Sequence, residues 1–422
     1  MRKLFCILMI VALIAGFSVG ATAKETIIFY HWEDPTLQQV IDAFNNSQDE
    51  VEVQTEVISA ADYGTKMTTL LAGGSEMDAF MVKGPMDIFP YVENGYVEPL
   101  DDLIAKHGYD LTQIAPYERA YKILDGKIYQ LPFRGASWFV FYNKKVFEAA
   151  GVPTPDTYVE KGEWTWEKYA EVAKQLSSGD GKVYGALEYT WAPCNFIPAI
   201  QRGVQFINPD GTLDVDDSVL FSFKRRKELE DAKAMIPMAE LKATKTHYSQ
   251  GFYQGNVGML IIGSWFPGYM LKARDESLLK GFTWDDWSVT RIPCNEPEYR
   301  TINPPTSNVV HVDSKKKDAA FKFVSWMAGG EAAALLAEAG LYPSQITPAV
   351  KEALAKALPD ESSLKYFVED KIVMPQFYNK YGSQLDGKLG GVMEQYLLND
   401  MTDDEIMSAL KEMLQEIIDT TM

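Results

Sequence analysis

Residues able to do chemistry stand where strand-like runs end. TIIFY (26–30) is followed by His31, Trp32, Glu33 and Asp34, and AFMV (79–82) by Lys83, Gly84 and Pro85. KVYGALEY (182–189) is followed by Thr190, Trp191, Cys194 and Asn195, and GMLIIG (258–263) by Ser264 and Trp265. Ligands of open α/β sheets bind beyond the carboxyl ends of the strands, so these positions make one candidate constellation. An indole offers a flat apolar face at little entropic cost, and carboxylates, Asn and Arg offer hydrogen bonds beside it. A sugar ring has the matching surface, one apolar CH face and a rim of hydroxyls that must not be buried unpaired. Peptides also bind on tryptophans, and a tryptophan ending a core strand also serves as a filler. For Trp265 the pattern alone therefore leaves platform and packing both open.

Other chemistries find less support. Glu33 and Asp34 are carboxylates, and a glycosidase needs two flanking one bond, but adjacent side chains diverge. The sequence holds no G-x-S-x-G elbow, H-E-x-x-H pair or Walker loop. The glycines of AGGS and MAGG read as helix stops. His31, His107, His247 and His311 show no metal-ligand spacing with the cysteines, so neither a metal nor another cofactor is expected. The formal net charge of −19 disfavours phosphate backbones and anionic lipid, which argues against nucleic-acid and membrane-surface roles.

A chain of 422 residues exceeds one hydrophobic core, so two domains are expected. Residues 1–23 read as a signal peptide: Arg2 and Lys3, an apolar run from Leu4 to Phe17, then Ala21-Thr22-Ala23 before a mature start near Lys24. Cys6 lies away from the cleavage site, so no lipid anchor is expected, and the mature protein is placed in the periplasm. Cys194 and Cys294 then remain, and in an oxidising compartment a disulfide between them and two free thiols are both open.

The elements that must position the candidate residues alternate. After strand TIIFY, Thr36 caps a helix with Leu37, Val40, Ile41 and Phe44 on one face, and VEVQTEV (51–57) alternates as a strand. This is a βαβ unit. A helix over 63–72, strands at 79–82 and 139–142, and a helix from Thr165 to Leu176 continue the α/β pattern. Pro267 and Gly268 read as turn formers after Trp265. Ser314 is expected to cap a helix through Trp326, and Thr402 with Glu405 forms a capping box for the last helix. No linker composition marks a boundary, so the two domains should share crossing segments.

The run DGKIYQLPFRGASWFVFYNKKVFEAAGVPTPDTYVEKGEWTWEKYAEVAKQL (125–176) resembles the hinge region of extracellular solute-binding proteins of ABC sugar importers, the maltose-binding-protein-like family. YVENGYVEPLDDLI (91–104), FYQGNVGMLIIGSW (252–265) and SKKKDAAFKFVSWMAGGEAAALLAEAGLYPS (314–344) follow in the family's order. The resemblance implies a two-lobed α/β fold with hinge strands and a ligand cleft between the lobes. Lobe one would hold 24–136 plus 308–368, and lobe two 137–307 plus 369–422, with crossings near Ala136–Trp138, Thr306–Asn308 and 368–376. It implies ligand contacts from His31, Trp32, Glu33, Lys83, Arg134, Trp138, Trp191, Asn195, Trp265 and Tyr342, with Trp265 where a sugar ring stacks. It also implies a non-catalytic monomer that captures a carbohydrate, most simply an oligosaccharide, and hands it to the importer's transmembrane permease subunits. The cations Lys83 and Arg134 keep an acidic sugar open. A peptide, a polyamine and a secreted carbohydrate-active enzyme are the remaining alternatives.

Overall fold

The computed structural model describes residues 23–34, 37–60, 62–84, 87–122, 125–369 and 371–421. The expected signal segment up to Thr22, with Cys6, and also Thr36 and Pro85 lie outside the described residues. The strands are β1 (Glu25–Trp32), β2 (Val51–Ile58), β3 (Ala79–Val82), β4 (Leu131–Arg134), β5 (Trp138–Asn143), β6 (Tyr184–Glu188), β7 (Phe206–Ile207), β8 (Leu213–Asp214), β9 (Val257–Gly263), β10 (Trp287–Arg291), β11 (Arg300–Ile302), β12 (Thr306–Val310) and β13 (Ile372–Met374).

The opening unit forms as its periodicity demands. The helix Leu37–Ser47 buries Leu37, Val40, Ile41 and Phe44, and each such side chain taken out of water contributes about 1.5–3 kcal/mol. That helix is the crossover that lets β2 return parallel to β1, in register from Glu25↔Val51 to Trp32↔Ile58. The first sheet has the order β2-β1-β3-β12-β4, with β12 antiparallel to both neighbours. The second has the order β10-β5-β9-β6, with β5 antiparallel to β9 and β6 parallel to it. Each sheet carries its own core: Ile27, Phe29, Phe80, Val309 and Phe323 in the first, and Phe139, Phe141, Leu260, Ile261 and Trp287 in the second. Trp265 packs against both.

The crossings are short and tied together. The chain leaves the first sheet at Arg134, enters the second at Trp138, and returns through β11 to β12. At Gly135 a Cβ would collide with the Tyr117 hydroxyl and the Asn303 amide, so only glycine fits where the segments cross. Asn303 Oδ1 accepts the Ala136 N–H at 2.5 Å while its Nδ2 donates to the Tyr117 hydroxyl at 3.1 Å. β13 pairs in parallel with β11, from Arg300↔Ile372 to Ile302↔Met374.

Several expectations need correction. The segment expected in lobe one up to 368 contributes Val350, Ala353, Leu354, Tyr366 and Phe367 to the second core, because Phe367 stacks on Phe139 of β5 at 4.4 Å. Pro267 opens no turn: it sits in the first turn of the helix Phe266–Asp275, where its missing N–H would lack a partner anyway. Ser314 precedes its helix rather than capping it; the helix is Lys317–Met327, and the Ser314 hydroxyl accepts the Lys316 N–H at 3.0 Å. Among the described residues, Cys194 and Cys294 are free thiols. Cys194 is buried in the second core, whereas Cys294 lies in a loop with its thiol on the Glu298 carbonyl. The Thr165 cap and the Thr402–Glu405 capping box form as expected.

Candidate functional site

The second lobe contributes an aromatic wall. β9 ends at Gly263, and Trp265 stands at the N-terminus of the helix that follows. The indole folds back over Gly263, where any Cβ would overlap the ring. Trp138 lies opposite Gly263 across the strand pair and supports Trp265 edge-on, with ring centroids 6.0 Å apart and planes at 86°. Trp265 Nε1 donates to the Tyr248 hydroxyl at 2.7 Å, so the buried Tyr248 ring fixes the indole's tilt. Trp191, just beyond β6, lies 6.2 Å from Trp265 and 5.7 Å from Tyr248, and Tyr269 lies 5.9 Å from Tyr248. Trp191 and Tyr269 are 39% and 40% exposed, whereas Tyr248 is 2% exposed.

The first lobe contributes a charged wall. Trp32 packs edge-on to Tyr63 at 5.4 Å, and the Arg134 guanidinium lies over its ring at 5.3 Å. Arg134 Nη1 meets Asp34 Oδ2 at 2.6 Å, with the two side chains only 12% and 10% exposed. At the end of β3, Lys83 is exposed, and the Gly84 N–H donates to Asp87 Oδ2 at 3.0 Å. Burial, with the Asp386 carboxylate adding to it, pushes the Asp87 carboxyl up to about 6 against the pull of the Gly84 N–H and Lys83. Asp386, on the helix Gly382–Leu398, is exposed. The Tyr269 hydroxyl is raised, chiefly by burial and also by Asp34, with Arg134 acting in the opposite sense. Trp265, which packs against the cores of both lobes, sets the aromatic wall at their junction.

The structure sorts the expected site residues. Arg134 stacks over Trp32 and pairs with Asp34, Trp191 stands beside Trp265, which packs against both cores, and Lys83 is exposed at the end of β3. His31 is no strand-end residue: β1 runs on through Trp32 because His31 and Trp32 pair with Val57 and Ile58. It shares a face with Ile27 and Phe29, is 2% exposed, stacks on Phe29 at 5.6 Å, and has its Nδ1 2.7 Å from the Trp32 carbonyl. Burial lowers its pKa, so it is a neutral core histidine. Glu33 is exposed, and its N–H donates to the Ile58 carbonyl. Trp138 is buried beneath Trp265. Asn195 is buried, with Nδ2 on the Trp191 carbonyl at 2.7 Å and Oδ1 accepting from Arg226 Nη1 at 2.6 Å; it braces the Trp191 loop. Tyr342 is buried with its hydroxyl on the Phe367 carbonyl at 2.9 Å. Tyr248, Tyr269, Asp87 and Asp386 were not foreseen. For Tyr269 a signal existed, since it follows Trp265 by four residues in one helix and so shares its face.

The family model for bacterial extracellular solute-binding proteins matches residues 31–334. This chain belongs to that family. A binding protein of Brucella abortus (strain 2308) is 25% identical over 333 residues, which span 75% of this chain and 76% of that one. The crystal structure of a sugar transporter from Rhizobium etli, in an open conformation, matches with TM-score 0.75 and 27% identity, covering 92% of this chain and 99% of the other. An ABC substrate-binding protein from Listeria monocytogenes, in complex with cycloalternan, matches with TM-score 0.77 and 26% identity over 94% and 99% of the two chains. The fold is thus the two-lobed α/β fold with a ligand cleft between the lobes, and the family is one of binding proteins.

Proposed function

We propose that this protein is the periplasmic component of an ABC importer, capturing a carbohydrate by closing its two lobes and passing it to the transmembrane permease without chemical change. The observation that carries the reading is the aromatic wall of Trp191, Trp265 and Tyr269, in which Trp265 packs against the cores of both lobes. Aromatic faces take the CH side of a sugar ring, and the charged wall takes its hydroxyls. Capture then follows from differential contact: a ligand favours the closed state only by bonds it makes to both lobes at once. The description of the Rhizobium protein as a sugar transporter and the cycloalternan in complex with the Listeria protein support a carbohydrate here.

A thermal-shift screen tests the class of ligand. A ligand at about 100 times its Kd stabilises the folded state by about 2.7 kcal/mol, so a cognate sugar raises the melting temperature visibly. A shift with peptides or polyamines and none with mono- or oligosaccharides refutes the proposal. Incubation with labelled oligosaccharides checks for turnover, and recovery of unaltered sugar is expected.

A further inference from the structure

Two adjacent arginines of the helix Asp217–Asp231 lie buried beneath the end of β6, and each holds a different part of it. Arg225 grips a side chain: its Nη1 and Nη2 donate to the two carboxylate oxygens of Glu188, the latter at 2.7 Å. Arg226 grips the backbone turn that follows. Its Nη2 donates to the Glu188 carbonyl at 3.3 Å, and its Nη1 donates both to the Tyr189 carbonyl at 3.4 Å and to Asn195 Oδ1 at 2.6 Å. Its Nε donates to Glu230 Oε1 at 2.8 Å, so the charge of this fully buried group is met within its own helix.

The three other acceptors of Arg226 all belong to one segment, 188–195, and that segment carries Trp191. Asn195 passes the hold on, since its Nδ2 donates to the Trp191 carbonyl at 2.7 Å, where the Cys194 N–H also donates at 3.1 Å. Tyr189 sets its ring edge-on to the Trp191 indole at 4.9 Å. One guanidinium thus pins the turn on both sides of Trp191. A buried charge is costly to desolvate, and packing alone is served as well by an apolar side chain. What arginine adds is a rigid planar fork that reaches acceptors in several directions, which the single ammonium of a lysine does not match.

We propose that Arg226 is the positioning residue for Trp191: buried out of a ligand's reach, it holds the 188–195 turn so that the indole stands beside Trp265, and it thereby sets how tightly the ligand is held. This rests on the carbohydrate reading above, in which Trp191 belongs to the aromatic wall.

Two measurements on the mature protein test it. In the ligand-free protein labelled with fluorotryptophan, the Trp191 line of the fluorine NMR spectrum is assigned by Trp191→Phe. Arg226→Lys keeps a cation for Glu230 but loses the fork, and is expected to shift or broaden the Trp191 line while the lines of Trp32 and Trp326 in the first lobe stay in place. Calorimetry then uses the neutral mono-, di- or trisaccharide that raises the wild-type melting temperature most. Arg226→Lys should weaken its binding about fivefold or more, yet change affinity by less than about twofold once Trp191 is already alanine, because no platform is left to misplace. Asn195→Ala should reproduce this pattern more weakly, and it carries the test if Arg226→Lys does not fold. An unmoved Trp191 line in both variants overturns the proposal. So does an affinity loss that is as large in the Trp191→Ala background as without it. If no sugar of the panel binds the wild-type protein, the carbohydrate reading fails, whereas the fluorine spectrum still decides whether Arg226 positions Trp191.

Discussion

The two walls of the cleft are built from different materials and held in different ways. The second lobe's wall is made of rings locked by shape: Trp265 lies over a glycine, leans on Trp138 and is bonded to Tyr248, none of which depends on charge. The first lobe's wall carries polar and ionised groups: Arg134 is paired with Asp34, Asp87 accepts the Gly84 N–H, and Lys83 stands exposed. The difference is one of tolerance. Stacked rings give affinity to any ligand with an apolar face, whereas partly buried charges penalise every hydroxyl pattern that leaves them unmatched. The aromatic wall should therefore set how tightly a ligand is held, and the charged wall which ligand is held.

The sharpest way to break this comparison is Trp265→Ala. Loss of a central aromatic anchor should weaken ligand binding by at least about 2 kcal/mol, roughly thirtyfold, as read by calorimetry. Its stability cost should stay below the about 3–5 kcal/mol expected for a fully buried tryptophan such as Trp166. A variant that unfolds easily yet binds normally would return Trp265 to the core.

Arg134→Ala comes next and acts on the other wall. It removes the guanidinium held at 2.6 Å from Asp34, whose side chain is only 10% exposed, and should cost about 1–3 kcal/mol in denaturant unfolding. The cost should be smaller than for Arg225→Ala, whose partner Glu188 is fully buried and which should lose about 3–5 kcal/mol. Equal losses would mean that the Asp34–Arg134 pair is a core bridge and not a cleft wall.

Asp87 sharpens the comparison through pH. Its carboxyl titrates at about 6 in the fold and near 3.9 when unfolded. Below about pH 4 it is protonated in both states and carries no penalty. As pH rises from about 4 to 6 the unfolded state loses its proton first, so stability falls across that window and is level above it. Asp87→Asn should remove this fall and raise stability at pH 7 by about 1–2 kcal/mol, measured by denaturation at pH 4 and pH 7. An unchanged pH profile would leave Asp87 without an electrostatic role.

The smallest effect on the fold is expected from Trp191→Ala. At 39% exposure its ring should contribute under about 1 kcal/mol to stability, while sugar affinity drops severalfold. Thermal unfolding and calorimetry on the same sample separate the two.

Much of the scaffold was legible because its cause is local. The helix of Leu37, Val40, Ile41 and Phe44, the strand AFMV and the box of Thr402 and Glu405 follow from side-chain periodicity and capping within one segment. The position of Trp265 directly after a buried strand was legible too, and the structure seats it between β9 and the helix Phe266–Asp275. His31 was misread because the last two residues of β1 are strand only by virtue of β2, a partner some 25 residues away. Asn195 and Tyr342 were misread because their polar atoms are taken by Arg226 and Phe367, and a sequence does not tell which donors are already bonded.

By itself, then, the sequence determined the alternation of strands and helices, the need for two cores and the aromatic strand ends, all consequences of hydrophobic pattern over short distances. Only the tertiary structure decided that Arg134 pairs with Asp34 and that Trp265 rests on Gly263 and Tyr248. The physical reason is that hydrogen bonds and ion pairs act over a few ångströms in space, and residues a hundred positions apart reach that range only when both lobes have folded and met.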